Sequence, residues 1–196
     1  MISSSSPPLE RGLDTMILVY SLLQGHPASL PCEHLLRAHS GWFTSPLVLV
    51  EVRNILTKVY SVNSNSVTAK LLQFINGPVV LLELDEATIA SAFQIADLHA
   101  IDMTDAVLLH LAKRCGANHM ATDDQRLTNA CLQSGITPIS PFDANLRQQV
   151  ANWETANLAP KGLPRILRRV HQWLQQSHSQ AARDFWSNTG GASHLP

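Results

Sequence analysis

IDMTDAVLLHLAKRCGANHMATDDQRL, residues 101–127, holds in order a helix, a short strand and the opening of a second helix. Counting from a helix start at Thr104, Leu108, Leu109 and Ala112 fall three, four and seven positions after Asp105. Asp105 therefore heads the buried face of that helix. A carboxylate is costly to desolvate there, and a fold that needed only packing would have no use for it. His119-Met120-Ala121 follows as a short apolar strand, and Thr122-Asp123-Asp124 opens the next helix. In open α/β sheets, strand ends that lead into helix starts are where sites sit.

Upstream, Leu9–Leu13 reads as a first strand, although Glu10, Arg11 and Gly12 suit a buried parallel strand poorly. Asp14-Thr15 then precede an apolar helix, Met16–Leu23, stopped by Gly25 and Pro27. Leu30–His39 is a second helix with Pro31 in its first turn, and Trp42–Thr44 is a minimal strand. Ser45-Pro46 opens the next helix with a capping hydroxyl followed by a proline whose φ is preset. Over Leu47–Tyr60 the set Val52, Ile55, Leu56 and Val59 keeps helical spacing, and Glu51 lies one turn before Ile55 on that stripe. Glu51 is thus expected to point inward.

Asn65 or Ser66 is expected to cap a fourth helix, which Asn76-Gly77-Pro78 ends. Val79–Leu84 is the strongest strand pattern in the chain, and Asp85 caps a helix over Glu86–Leu98. After the opening stretch, a helix from about Asp124 to Gln133 is stopped by Gly135, and Ile136–Ile139 is the last strand. Helices alternating with short strands predict an α/β fold with a mostly parallel sheet covered on both faces.

The 196 residues suffice for one domain with a generous extension, and 45% hydrophobic content supports a globular class. A formal net charge of -1 hides a division. Residues 1–143 carry 8 Lys+Arg against 13 Asp+Glu, a balance of -5, and residues 144–196 carry 6 against 2, a balance of +4. Within the basic part, Leu163, Ile166, Leu167, Val170 and Leu174 form one helical stripe with Trp173 beside it, while Arg165, Arg168 and Arg169 lie off it. Such a helix either covers the domain or contacts RNA or a partner. From Ser177 onward the chain is polar and Gly-rich and reads as frayed.

Cys32, Cys115 and Cys131 lie far apart, which suggests neither a disulfide framework nor a zinc site, and points to a reducing cytosol. The Ser/Pro-rich lead lacks the apolar core of a signal peptide, and no apolar run is long enough to span a bilayer. The expectation is a soluble, cytoplasmic protein with no membrane association.

Four carboxylates are out of place: Asp14 after the first strand, Glu51 on a buried helical stripe, Asp105 at a buried helix start and Asp124 after a late strand. In a parallel sheet, strand ends on one edge converge, so residues about 90 apart can share a cleft. Carboxylates crowded together raise each other's pKa unless a cation intervenes. Hard oxygen donors without His or Cys select Mg²⁺ or Mn²⁺, which suits phosphodiester hydrolysis. The simpler reading makes Asp14, Asp105 and Asp124 helix N-caps, but it does not cover Glu51 in mid-helix.

Leu13-Asp14-Thr15, the segment Ser45–Val52 with Glu51, Thr104-Asp105-Ala106 and Ala121–Leu127, taken in this order, resemble the motifs of the PIN domain, and within it the VapC-type toxins. The resemblance covers about residues 9–141. It implies a three-layer α/β/α sandwich, Mg²⁺- or Mn²⁺-dependent endoribonuclease activity, a homodimer, and a small antitoxin protein as partner in a type II toxin-antitoxin system. Asp14, Glu51, Asp105 and Asp124 match the family's acidic metal-binding residues, and Thr122 matches the hydroxyl of its Thr-x-Asp motif. Asp123 occupies the variable position of that motif and is the alternative fourth carboxylate; Asp102 is read as the cap of the helix carrying Asp105. With the composition of the two ends, the expected division is a disordered lead over 1–8, a PIN-like nuclease domain over 9–141 and a helical basic extension over 142–196, whose off-stripe Arg165, Arg168 and Arg169 are candidate RNA contacts.

The chain departs from the family's pattern in three places: a first strand that is not fully apolar, Met16 where an Asn is common, and the long tail after Pro141. Two rival readings follow. One is a catalytically weak PIN-like module that binds RNA or protein through its tail. The other is a different Mg²⁺-dependent phosphohydrolase, which lacks support because no second Asp lies two positions after Asp14 and no Gly-rich phosphate loop is present.

Overall fold

The computed structural model describes residues 8–158 and 165–188, except for the side chains of 165–169, 172 and 188. Five short parallel strands form one sheet: β1 (Arg11–Leu13), β2 (Trp42–Thr44), β3 (Val80–Leu81), β4 (His119–Ala121) and β5 (Thr137–Ile139). Their order is β3-β2-β1-β4-β5. Leu13 lies beside Ala121, and Gly12 lies between Phe43 and Met120. The helices between strands are α1 (Thr15–Leu22), α2 (Ser29–Ala38), α3 (Pro46–Lys58), α4 (Ser64–Ile75), α5 (Glu86–His99), α6 (Met103–Cys115) and α7 (Gln125–Gln133). α1 packs on α2 and α3, and α3 on α4, while α6 packs on α5, α7 and β1. With right-handed crossovers, the reversal of strand order between β1 and β4 puts these two groups on opposite faces of the sheet. The result is an α/β/α sandwich whose core holds Leu13, Ile17, Leu18, Phe43, Val48, Val52, Leu108, Leu109 and Met120, all buried.

The composition of β1 has a packing explanation. A Cβ on Gly12 would stand 2.6 Å from Met120 Sδ and 3.3 Å from Phe43, so a side chain there would force the end of Met120 to shift. Arg11 Nη1 donates to Glu10 Oε2 and to Ser40 O, both at 2.7 Å, which satisfies the charge at the strand's start. β1 is also shorter than expected, beginning at Arg11 rather than Leu9.

The largest disagreement concerns β3. The six residues Val79–Leu84 supply only a two-residue strand, with Val80 43% exposed. β3 is an edge strand against a three-residue neighbour, and its pairing ends where β2 ends, at Thr44 with Leu81. Helix α4 is capped by Asn63, whose Oδ1 accepts from Asn65 N (2.9 Å) and Ser66 N (3.3 Å), not by Asn65 or Ser66. Ser45 and Asp85 do cap their helices, accepting from Val48 N (3.3 Å) and Thr88 N (2.7 Å).

Beyond the sheet come α8 (Ala144–Asn157), α9 (Arg165–Ser177) and α10 (Ser179–Asn188). The chain divides into two compact units, one ending at Leu146 and the other beginning at Arg147. In the second unit α9 packs against α10, with His171 and Ala182 buried. The frayed end expected from Ser177 is therefore a helix as far as Asn188. Helix α8 lies within the helical extension expected over 142–196, for which no element before Leu163 is expected from the sequence. The lead expected over 1–8 lies, apart from Pro8, outside the described residues, as does Leu163 of the apolar stripe. Among the described residues, no helix is long and apolar enough to cross a membrane.

Candidate functional site

The carboxyl ends of β1 and β4 are neighbours where the strand order reverses, and ligands of open α/β sheets bind in such a crevice. Asp14 follows β1 and Thr122-Asp123-Asp124 follow β4. The parallel register that sets Leu13 beside Ala121 carries over to them: Asp14 N donates to Ala121 O at 3.1 Å, and Thr122 Oγ1 donates to Asp14 Oδ2 at 2.8 Å. Thr122 N in turn donates to Ile139 O at 3.1 Å, which ties the loop to β5.

Asp14 is the N-cap of α1. Its Oδ1 accepts from Thr15 N, and the residue is buried. Glu51, half-buried on α3, accepts at Oε2 a 2.8 Å hydrogen bond from Thr15 Oγ1. Thr15 thus uses its backbone N–H on one carboxylate and its hydroxyl on another. Nothing in the sequence around Thr15 signals this role, which arises only from the packing of α1 on α3.

Asp124 caps α7, with Oδ1 accepting from Leu127 N at 2.8 Å, and its own N–H donates to Thr122 Oγ1 at 3.0 Å. Asp105 is the third residue of α6, and Asp102 occupies the N-cap position there without making a side-chain capping bond. The cap reading therefore describes Asp14 and Asp124 but not Asp105 or Glu51.

Electrostatics bring the four together. Burial raises Asp105 to about 8, and the charges of Asp14, Asp124, Glu51 and Asp102 add to it. The positive end of α6 favours an ionised carboxylate, but desolvation and four like charges outweigh it. Asp14 rises to about 6, again through burial first; hydrogen bonds from Thr122 and Thr15 oppose this, while Glu51 and Asp124 add to it. Asp123 turns elsewhere: its Oδ1 accepts from Ser140 Oγ at 3.2 Å, and its charge bears on Cys32, whose buried thiol is pushed up to about 12.

An all-oxygen donor set with mutual repulsion suits a hard divalent cation such as Mg²⁺ or Mn²⁺. As the side chains stand, no three Asp, Glu, His or Cys groups among the described residues form a ready ligand set. Asp14 and Glu51 are engaged by threonine donors, so ligation would exchange hydroxyl hydrogen bonds for metal contacts.

The PIN domain family model matches residues 13–132, from the end of β1 almost to the end of α7. The chain belongs to the PIN domain family. No curated protein matches it in sequence. Among solved structures, VapC20 of Mycobacterium tuberculosis, a toxin that cleaves the sarcin-ricin loop, aligns with a TM-score of 0.56 at 15% identity, over 62% of this chain and 95% of that one. PAE2754 of Pyrobaculum aerophilum aligns with a TM-score of 0.51 at 17% identity, over 75% of this chain and 99% of that one. These likenesses concern the PIN fold.

Proposed function

We propose that this PIN protein is a Mg²⁺- or Mn²⁺-dependent endoribonuclease, with Asp14, Glu51 and Asp105 as cation ligands and Asp124 with Thr122 as orienting groups. The observation that carries the reading is the environment of Asp105, which burial first and then the charges of Asp14, Asp124, Glu51 and Asp102 raise to about 8. Asp124 is preferred to Asp123 as the fourth acid because its charge bears on both Asp14 and Asp105. When bound, a divalent ion supplies an activated water and neutralises charge building on the phosphate.

The chain's own residues set the geometry. Thr122 Oγ1 holds Asp14 from one side and takes the Asp124 N–H from the other, so one hydroxyl fixes the relation of two acids. Thr15 links Asp14 and Glu51, donating its backbone N–H to the first and its hydroxyl to the second. Asp105 holds a proton at neutral pH in the free protein and gives it up as positive charge arrives.

On this reading residues 9–141 are the nuclease domain and 142–196 an extension, and the protein acts in the cytoplasm as a homodimer. VapC20 is an RNA-cleaving toxin, which supports RNA as the substrate class here and the toxin of a type II toxin-antitoxin pair, with a small antitoxin partner, as the biological role. The rival binding-only reading rests on the weak first strand, whose composition has a packing reason at Gly12 and a hydrogen-bonding reason at Arg11.

Asp14→Asn and Asp105→Asn proteins, purified alongside the wild type and incubated with total RNA and Mn²⁺, are expected to lose cleavage by at least a hundredfold. Equal cleavage by all three would reject the assignment and identify a contaminating nuclease. Calorimetric Mn²⁺ binding that depends on Glu51 and Asp105 tests the ligand set separately.

A further inference from the structure

The loop 122–124 follows a three-residue strand and carries two groups of the site, Thr122 and Asp124. Loop backbone keeps one conformation only where its polar groups are fixed by partners. Here each residue has one. Thr122 N donates to Ile139 O at 3.1 Å, Asp124 N donates to Thr122 Oγ1 at 3.0 Å, and Asp123 Oδ1 accepts from Ser140 Oγ at 3.2 Å.

The last of these bonds reaches beyond the site. Ser140 stands directly after β5 and is exposed, yet its hydroxyl acts twice, donating to Asp123 and accepting from Phe142 N at 3.1 Å. Pro141 between them has its φ preset, so the turn from Ser140 to Phe142 has few alternatives. Phe142 is buried, and its ring lies 5.5 Å from that of Tyr20 on α1, which in turn stacks on His26 at 4.7 Å. Helix α1 is the one that Asp14 caps. Residues 140–142 therefore form a strap from the end of β5 to α1, and the Ser140 hydroxyl fastens the loop of Asp124 to it. The bond from Thr122 to Asp14 joins the same two segments inside the site.

Asp123 is the residue that the strap grips. It is half-buried, and its charge bears on the thiol of Cys32 on α2. Holding it in place fixes the backbone on both sides, and with it the Thr122 hydroxyl and the Asp124 N–H that meet across it.

We propose that Ser140 is a positioning residue of the site: its hydroxyl holds Asp123, and through Asp123 the Thr122–Asp124 loop, in the geometry that cation binding needs. This rests on the ribonuclease reading for what the loop serves, whereas the holding itself is a property of the metal-free chain.

The test starts with amide hydrogen exchange, followed by NMR on the full-length chain in chelator. Ser140→Ala removes the donor to Asp123 and the acceptor of the Phe142 N–H, and exchange at Thr122 and Asp124 should quicken about tenfold, while the amides of α6 and the Tm stay as they are. Ser140→Thr keeps the hydroxyl and should restore the slow exchange. Asp123→Ala should quicken the same amides by a similar factor, and combining it with Ser140→Ala should add little, as for two ends of one interaction. With Mn²⁺, the calorimetric Kd should weaken about tenfold in Ser140→Ala and recover in Ser140→Thr, the effect of losing a group that orients ligands without touching the ion.

Unchanged exchange at Thr122 and Asp124 in Ser140→Ala would overturn the inference, and so would effects of Ser140→Ala and Asp123→Ala that simply add. It also fails if Ser140→Ala binds Mn²⁺ as tightly as the wild type while Asp105→Asn has lost binding. A wild type that binds no Mn²⁺ and cuts no RNA, with exchange still following the Ser140 hydroxyl, sinks the ribonuclease reading and leaves the strap's hold on the loop standing.

Discussion

Replacing Asp105 with Asn should stabilise the metal-free protein, and the gain should grow with pH. The carboxyl ordinarily titrates at 3.8 and in the fold at about 8. Between those values the unfolded chain has released a proton that the folded chain retains, so stability falls as pH rises from about 4 to about 8. At ~1.4 kcal/mol per pH unit, the penalty at pH 8 has a ceiling of roughly 5 kcal/mol. Side-chain relaxation and water access at a half-buried group reduce it to about 1–3 kcal/mol. For a chain of this length that corresponds to roughly 3–10 °C in Tm. Thermal unfolding of both proteins in chelator at pH 4.5 and pH 8 reads it directly, with a small gain expected at the lower pH and the full gain at the higher. Millimolar Mn²⁺ should stabilise the wild type more than the variant, since a cation repays the repulsion only where the charge exists. A variant no more stable than wild type at pH 8, or equally stabilised at both pH values, would refute the idea that burial and crowding hold Asp105 protonated.

Three further outcomes are expected. Because Asp105 must lose its proton to take a cation, the Kd for Mn²⁺ should tighten about tenfold per pH unit between pH 6 and 8 and level off above it, as followed by calorimetry; a flat profile would count against the ligand role. Thr122→Val removes the donor to Asp14 and the acceptor of Asp124 N–H, which should cost about 1–3 kcal/mol in urea unfolding and push Asp14 further above 6, with Thr122→Ser restoring both. Gly12→Ala drives a methyl against buried Met120 and should cost about 1–3 kcal/mol. Adding Met120→Ala in the same protein should cost less than the two single changes together, and strict additivity would contradict the packing argument.

What the sequence disclosed and what it concealed divide along the range of the interactions. Ser45-Pro46 and Asp85 are local instructions, and they start α3 and α5 where they should. Asn63-Ser64-Asn65-Ser66 offers several cap formers in a row, and selection among them depends on backbone angles that composition does not carry. Val79–Leu84 has the pattern of a long strand, yet its pairing stops with a neighbour from another part of the chain. Gly12 weakens the strand pattern for a reason visible only once Met120 and Phe43 are beside it. The polar tail reads as frayed because its partner helix α9 supplies the packing that α10 lacks alone. At the site, capping and clustering look like alternatives in the sequence, whereas Asp124 caps α7 while its charge bears on Asp14 and Asp105. The link from Thr15 to Glu51 spans 36 residues and leaves no local trace.

The hydrogen bond from Thr122 to Asp14 spans 108 residues and closes only when β4 has taken its place beside β1. A nascent chain that ends before β4 carries Asp14, Glu51 and Asp105 but neither Thr122 nor Asp124, and its sheet lacks one side. Assembly of the site is therefore a late event in synthesis, since long-range parallel pairing follows local helix formation. With α8, α9 and α10 still to be translated after β5, the ribosome holds the remainder of the chain while the sheet closes.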